Sequence, residues 1–165
     1  MADPLERGSA EQIRHLYSEL GPALLGYASL ILKNRSAAED VLHQVFLKFL
    51  EGRVPLPREP RPYLFRAIGN AALNHRRGEL RETARREELQ LFETSTGMES
   101  SAAELDAAIA ELPEEQQQIV FLKVWGEMTF EEVAQLLGIS SNTAATRYRL
   151  ALAKLRARLA SLGRR

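Results

Sequence analysis

The sequence predicts an all-α fold, arranged as two small helical bundles joined by a short flexible linker. Apolar residues recur at three- and four-residue spacing along most of the chain, and no stretch alternates apolar and polar as a half-buried strand does. Ser or Thr stands three residues before Glu or Gln at Ser9/Gln12, Ser36/Glu39, Ser101/Glu104 and Thr129/Glu132. In that pattern the cap and the third helical residue satisfy each other's orphan amides. From Glu93 to Ser101 the chain turns small and polar, with Thr94, Ser95, Thr96 and Gly97, as a linker does. The expected boundaries are 1–90 for the first unit, 91–103 for the linker and 104–165 for the second.

A first helix is expected from Ser9 to Leu20, where Gly21-Pro22 breaks it; Pro22 then opens a second helix carrying Leu24, Leu25, Tyr27, Ala28, Ile31 and Leu32, ended by Asn34. The third runs from Ser36 to Glu51, with Val41, Leu42, Val45, Phe46, Phe49 and Leu50 at helical spacing and Gly52 as its stop. Pro55, Pro57, Pro60 and Pro62 predict an extended loop, after which Tyr63 opens a long helix that becomes Arg-rich at Arg76 and Arg77. Beyond the linker come Ser101–Leu112, stopped by Pro113, and Pro113–Trp125, stopped by Gly126. Thr129–Leu137 follows, stopped by Gly138, and the last helix starts at Ser140 and reaches Leu162. No repeat of period 20–50 is present.

Composition narrows the function classes. Lys plus Arg and Asp plus Glu are each 22 among 165 residues, so the chain is neither a basic coat nor an acidic tail. A hydrophobic share of 45% supports a real core. The absence of Cys excludes disulfides, thiol nucleophiles and Cys-bound zinc, and suits a reducing cytoplasm. The longest apolar run, Leu24 to Leu32, falls well short of the roughly 20 residues a membrane span needs. The acidic start lacks the pattern of a signal peptide. Asp occurs only at Asp3, Asp40 and Asp106, with no phosphate-cradling Gly loop and no nucleophile arrangement, which argues against an enzyme. His15, His43 and His75 have no ligand spacing, so neither metal nor other cofactor is expected.

The zero net charge conceals blocks. Residues 1–52 carry net −2, 53–88 net +4, 89–142 net −9 and 143–165 net +7. Two cationic stretches separated by an anionic one fit polyanion contacts at two places, and equally fit solvated helix faces. The second cationic stretch follows a specific local pattern. Phe130 to Ser140 reads as the first helix and turn of a helix-turn-helix: Ala134 is small where the second helix crosses, Gly138 supplies the turn's positive φ and Ile139 plugs the corner. Ser140 then caps a helix with Ala144, Tyr148, Ala151, Leu152, Leu155 and Leu159 inward. Asn142, Thr143, Ala145, Thr146, Arg147 and Arg149 face outward. An exposed face of Asn, Thr and Arg suits phosphates and major-groove base edges, although many such hairpins are merely structural. Trp125 is expected in the core of this unit.

Three runs of residues resemble one family. Ala38-Glu39-Asp40-Val41-Leu42-His43-Gln44-Val45-Phe46 is similar to the helix by which bacterial sigma factors dock on RNA polymerase. Arg61 to Asn74, with Tyr63, Leu64, Phe65, Arg66, Ala67, Ile68, Gly69 and Asn70 between, is similar to their promoter −10 helix. Ala110-Glu111-Leu112-Pro113 through Ile119-Val120, followed by the helix-turn-helix, is similar to their −35-binding domain. In this order and spacing they resemble the extracytoplasmic-function (ECF) group of the sigma-70 family, over nearly the whole chain.

The resemblance implies a transcription initiation factor that binds core RNA polymerase and promoter DNA in the cytoplasm. Asp40, His43, Gln44 and Leu47 would meet polymerase. Arg66, Asn70, Asn74, Arg76 and Arg77 would engage melted −10 DNA, beside a pocket for an extruded base in the loop Arg53–Pro62. Ser141, Asn142, Thr143, Thr146, Arg147 and Arg149 would read the −35 duplex. His43 and Gln44 stand where the family has Gln and an acid, and Ala145 and Leu150 where it has basic residues. Factors of this kind are commonly held inactive by an anti-sigma partner, which is a further expectation here. Two other readings stand beside this one: a helix-turn-helix transcriptional regulator, and a polymerase-binding adaptor that does not melt DNA.

Overall fold

The computed structural model describes residues 9–83 and 100–164, with 79–83 and 100–102 given as backbone alone. All regular structure among the described residues is helical. The chain divides into two compact units, Met1–Gln90 and Leu91–Arg165. Most of the expected linker lies outside the described residues.

The first unit consists of α1 (Ala10–Leu32), α2 (Arg35–Leu50) and α3 (Pro60–Thr83), each packed on the other two. Ser9 and Gln12 form the expected box: the Gln12 N–H donates to Ser9 Oγ at 3.2 Å, and the Ser9 N–H to Gln12 Oε1 at 2.8 Å. The expected break at Gly21-Pro22 does not occur, and α1 continues through both residues. A mid-helix proline costs about 3 kcal/mol. Leu20, Leu24, Tyr27, Ala28 and Ile31 are all buried on one continuous stripe, and burying each large apolar side chain is worth about 1.5–3 kcal/mol, so packing overrides the local signal.

The turn into α2 also differs from expectation. Lys33 takes the left-handed conformation (φ 55°) that ends α1, and Asn34, not Ser36, caps α2 by accepting the Ala37 N–H at 3.1 Å. Ser36 is already helical, so it cannot hold the extended backbone of a cap, and Glu39 pairs with Arg35 at 3.1 Å instead. Pro60 and Pro62 lie inside the first turn of α3, three residues ahead of the expected start. First-turn N–H groups have no helical partner in any case, so proline removes nothing there. Tyr27 and Phe65 meet at 5.9 Å in a core completed by Leu24, Val41, Leu64 and Ile68. Burial pushes the Tyr27 phenol well above its ordinary pKa.

The second unit contains α4 (Ser100–Ala110), α5 (Glu114–Val120), a π-helical turn (Phe121–Trp125), α6 (Phe130–Leu137) and α7 (Ser141–Leu162). Ser101 lies within α4 and is not its cap, and α4 ends two residues before Leu112. Gln117 Nε2 closes that end, donating to Ala110 O at 3.1 Å and Leu112 O at 2.6 Å. The expected single helix to Trp125 widens at Phe121, where the Gly126 N–H reaches back five residues to Phe121 O at 3.0 Å. Lys123 Nζ then donates to Met128 O at 2.8 Å. The Thr129/Glu132 box forms, at 3.1 and 2.8 Å. Gly138 is left-handed (φ 67°), and the Ile139 N–H donates to Ala134 O at 3.0 Å, which joins α6 to α7 in a Schellman turn. Ala108, Ile109, Leu112, Val120, Ala151 and Leu155 form one core cluster, with Phe121 and Trp125 packed against it as expected of Trp125, and Ile119, Leu122, Met128 and Val133 are fully buried as well. Leu159, read as inward, is 37% exposed; Leu155 is the last residue α7 contributes to that core.

Candidate functional site

α2 separates its residues cleanly. Val41, Val45, Phe46 and Phe49 are buried, while Asp40, His43, Gln44 and Leu47 form an exposed edge at spacings of three, one and three residues. Leu50, read with the apolar face, is 50% exposed and extends that edge beside Leu47 at 49%. The reason is register: Leu50 stands three residues beyond Leu47, on the same side of the helix. Tyr17 of α1 joins the edge. Its hydroxyl lies 3.1 Å from His43 Nε2, and its ring meets Phe46 edge-on at 5.0 Å. The sequence carried no sign of this contact, because 26 residues separate Tyr17 from His43.

On α3, Asn70, Asn74, Arg76 and Arg77 are exposed and Arg66 is half-buried. Residues 66, 70, 74 and 77 follow one another at helical spacing, a stripe about 16 Å long at 1.5 Å per residue. The two asparagines, four apart, can each offer a donor and an acceptor to a base edge. The loop before α3 is anchored by the Arg53 N–H on Lys48 O at 3.0 Å. It closes at residue 59, so the expected loop Arg53–Pro62 gives its last residues to the helix. Arg61 Nη2 pairs with Glu19 at 2.7 Å, fixing the start of α3 on α1.

On α7, Asn142, Thr146 and Arg149 are exposed, and Ser141, Thr143 and Arg147 half-buried. Thr143 is engaged in the cap: its N–H donates to Ser140 Oγ at 3.1 Å and the two hydroxyls lie 2.8 Å apart. Arg149 Nη2 donates to Thr146 Oγ1 at 3.3 Å, and Arg147 Nη2 lies 3.3 Å from Glu115 Oε2 of α5. Lys123 lies 4.3 Å over the Phe130 ring, which meets Tyr148 at 5.7 Å, so an aromatic–cation stack fixes α6 against α7. None of these long-range partners was readable from local spacing. Among the described residues no helix is long and apolar enough to cross a membrane.

Comparison with known proteins agrees with this layout. The profile "Sigma-70 region 2" matches residues 16–82, and "Sigma-70, region 4" matches 102–155. The RNA polymerase sigma factor CarQ of Myxococcus xanthus is 29% identical over 164 residues, covering 94% of this chain and 93% of that one. The sigma factor RpoE from Bartonella quintana, solved in complex with the anti-sigma factor NepR, shares the fold with a TM-score of 0.66 at 18% identity, covering 88% of this chain and 94% of that one. The chain belongs to the ECF group of the sigma-70 family. It is a promoter-recognising factor that binds core RNA polymerase and directs transcription initiation.

Proposed function

We propose that the two tasks of promoter reading are divided between the units, and that the boundaries 1–90, 91–103 and 104–165 mark this division. Asp40, His43, Gln44 and Leu47 on α2 dock on core polymerase. Arg66, Asn70, Asn74, Arg76 and Arg77 hold the opened −10 strand, the arginines through phosphate contacts that weaken steeply with salt. Ser141, Asn142, Thr143, Thr146, Arg147 and Arg149 dock in the −35 major groove. The observation that carries the reading is that α3 and α7, in separate units, each expose a polar and cationic stripe opposite an apolar core. A duplex is read by a helix in a groove, whereas an extruded base needs a donor–acceptor pair such as Asn70 and Asn74. The chain works in the cytoplasm as an initiation factor, not an enzyme. The RpoE–NepR complex supports a similar anti-sigma partner here.

The test is holoenzyme assembled from core polymerase and the full chain, on a promoter duplex that the wild-type holoenzyme selects from a randomised pool. Arg147→Ala should weaken closed-duplex binding, whereas Asn74→Ala should spare it and reduce permanganate-reactive thymines. Equal loss of duplex affinity in both variants would refute the division. Run-off transcripts made with no other sigma factor exclude the regulator and adaptor readings; their absence would restore them.

A further inference from the structure

Four acidic residues crowd the turn between α4 and α5 and the first turn of α5: Glu111, Glu114 and Glu115, with Asp106 one turn earlier. Glu111 and Glu115 reach α7. Glu111 grips Arg158 through three contacts of 3.0–3.2 Å, far down the helix from the recognition residues. Glu115 makes a single 3.3 Å ion pair with Arg147, inside them. The first pair is bidentate and fastens the two elements together. The second has one short contact, and leaves most of the guanidinium's five N–H donors outside the pair.

Three facts give the Glu115–Arg147 pair a bearing on DNA. Arg147 and Arg149 are the only cations between residues 140 and 153, so engaging one of them halves the charge offered to a phosphate. The Arg147 side chain is 27% exposed and that of Glu115 68%, so the carboxylate is the solvent-facing partner. A DNA phosphate has the same sign as that carboxylate and competes for the same guanidinium. We infer that Glu115 restrains promoter binding: its carboxylate holds Arg147 in the free chain and must yield it to a −35 phosphate. This rests on the reading of α7 as the −35 helix. Because exposed ion pairs contribute at most about 1 kcal/mol, displacement limits affinity by up to about fivefold without abolishing it.

The experiment measures binding of holoenzyme to the selected −35 duplex at low salt for wild type, Glu115→Gln, Arg147→Ala, the double variant and Glu111→Gln. Glu115→Gln should bind about two- to fivefold tighter, and the gain should shrink as salt screens the pair. It should vanish in the Arg147→Ala background, and Glu111→Gln should bind as wild type does. A gain that persists without Arg147 would overturn the inference in favour of general repulsion by the carboxylate. So would unchanged or weaker binding by Glu115→Gln while Arg147→Ala weakens it. If Arg147→Ala itself has no effect, the reading of α7 fails first, and the inference with it.

Discussion

In the α1–α3 unit the functional helices stand on a core of large side chains, with Leu24, Tyr27, Leu64, Phe65 and Ile68 fully buried. The α4–α7 unit has a smaller apolar cluster and is held as much by backbone geometry and polar stitches. Gln117 ties the end of α4, Lys123 ties Met128, Gly138 turns α6 into α7, and Glu111 clamps Arg158. Of its helices only α7 matches α1–α3 in length; α4, α5, α6 and the π-helical turn are short, so turns and caps take a larger share of the work. The two units should therefore be sensitive to different kinds of substitution.

The largest effect should come from emptying the first core. Phe65→Ala should destabilise α1–α3 by about 3–5 kcal/mol and abolish polymerase binding. Urea unfolding followed by circular dichroism should show the α4–α7 transition unmoved; a joint shift of both would break the contrast. Pro22→Ala should act in the opposite direction, raising the stability of α1–α3 by about 2 kcal/mol. It relieves a mid-helix proline worth about 3 kcal/mol and gives back somewhat less than 1 in freedom of the unfolded chain. A thermal midpoint that stayed still would mean that α1 already accommodates its proline without cost.

In the second unit, Gly138→Ala should lower stability by about 1–2 kcal/mol, the cost of a left-handed conformation for an L side chain. A Cβ there meets nothing within 4 Å, so the loss is conformational alone, and Gly138→Asn should cost less. The last prediction concerns pH. Tyr27 is buried in its neutral form, so its folded pKa lies above its unfolded value of about 10. The Tyr27 contribution is thus constant well below pH 10 and falls above it, by about 1.4 kcal/mol per pH unit while only the unfolded phenol ionises. Urea midpoints at pH 9 and pH 11 should differ for wild type and converge in Tyr27→Phe, with the loss confined to the α1–α3 transition.

Helix content, the cap boxes at Ser9 and Thr129, the Gly138 turn and the exposed edge of α2 were all legible in the sequence, because each is decided by residues within four positions of one another. Local rules also misled in particular places. Gly21-Pro22 reads as a break, yet α1 runs through it, since the stripe from Leu20 to Ile31 is buried against two other helices. Asn34 displaced Ser36 as a cap because the turn after Lys33 fixed which residue stayed extended. The outward placement of the proposed recognition residues follows from helical periodicity, and their proposed roles from the family resemblance. Their partners follow from neither: Tyr17 for His43 and Glu115 for Arg147 come from other elements, as does Lys123 over the structural Phe130. Sequence spacing determines which face of a helix a side chain occupies, since the backbone repeats every 3.6 residues. Which charge or ring lies opposite that face depends on how the helices pack, and only the tertiary structure decides it.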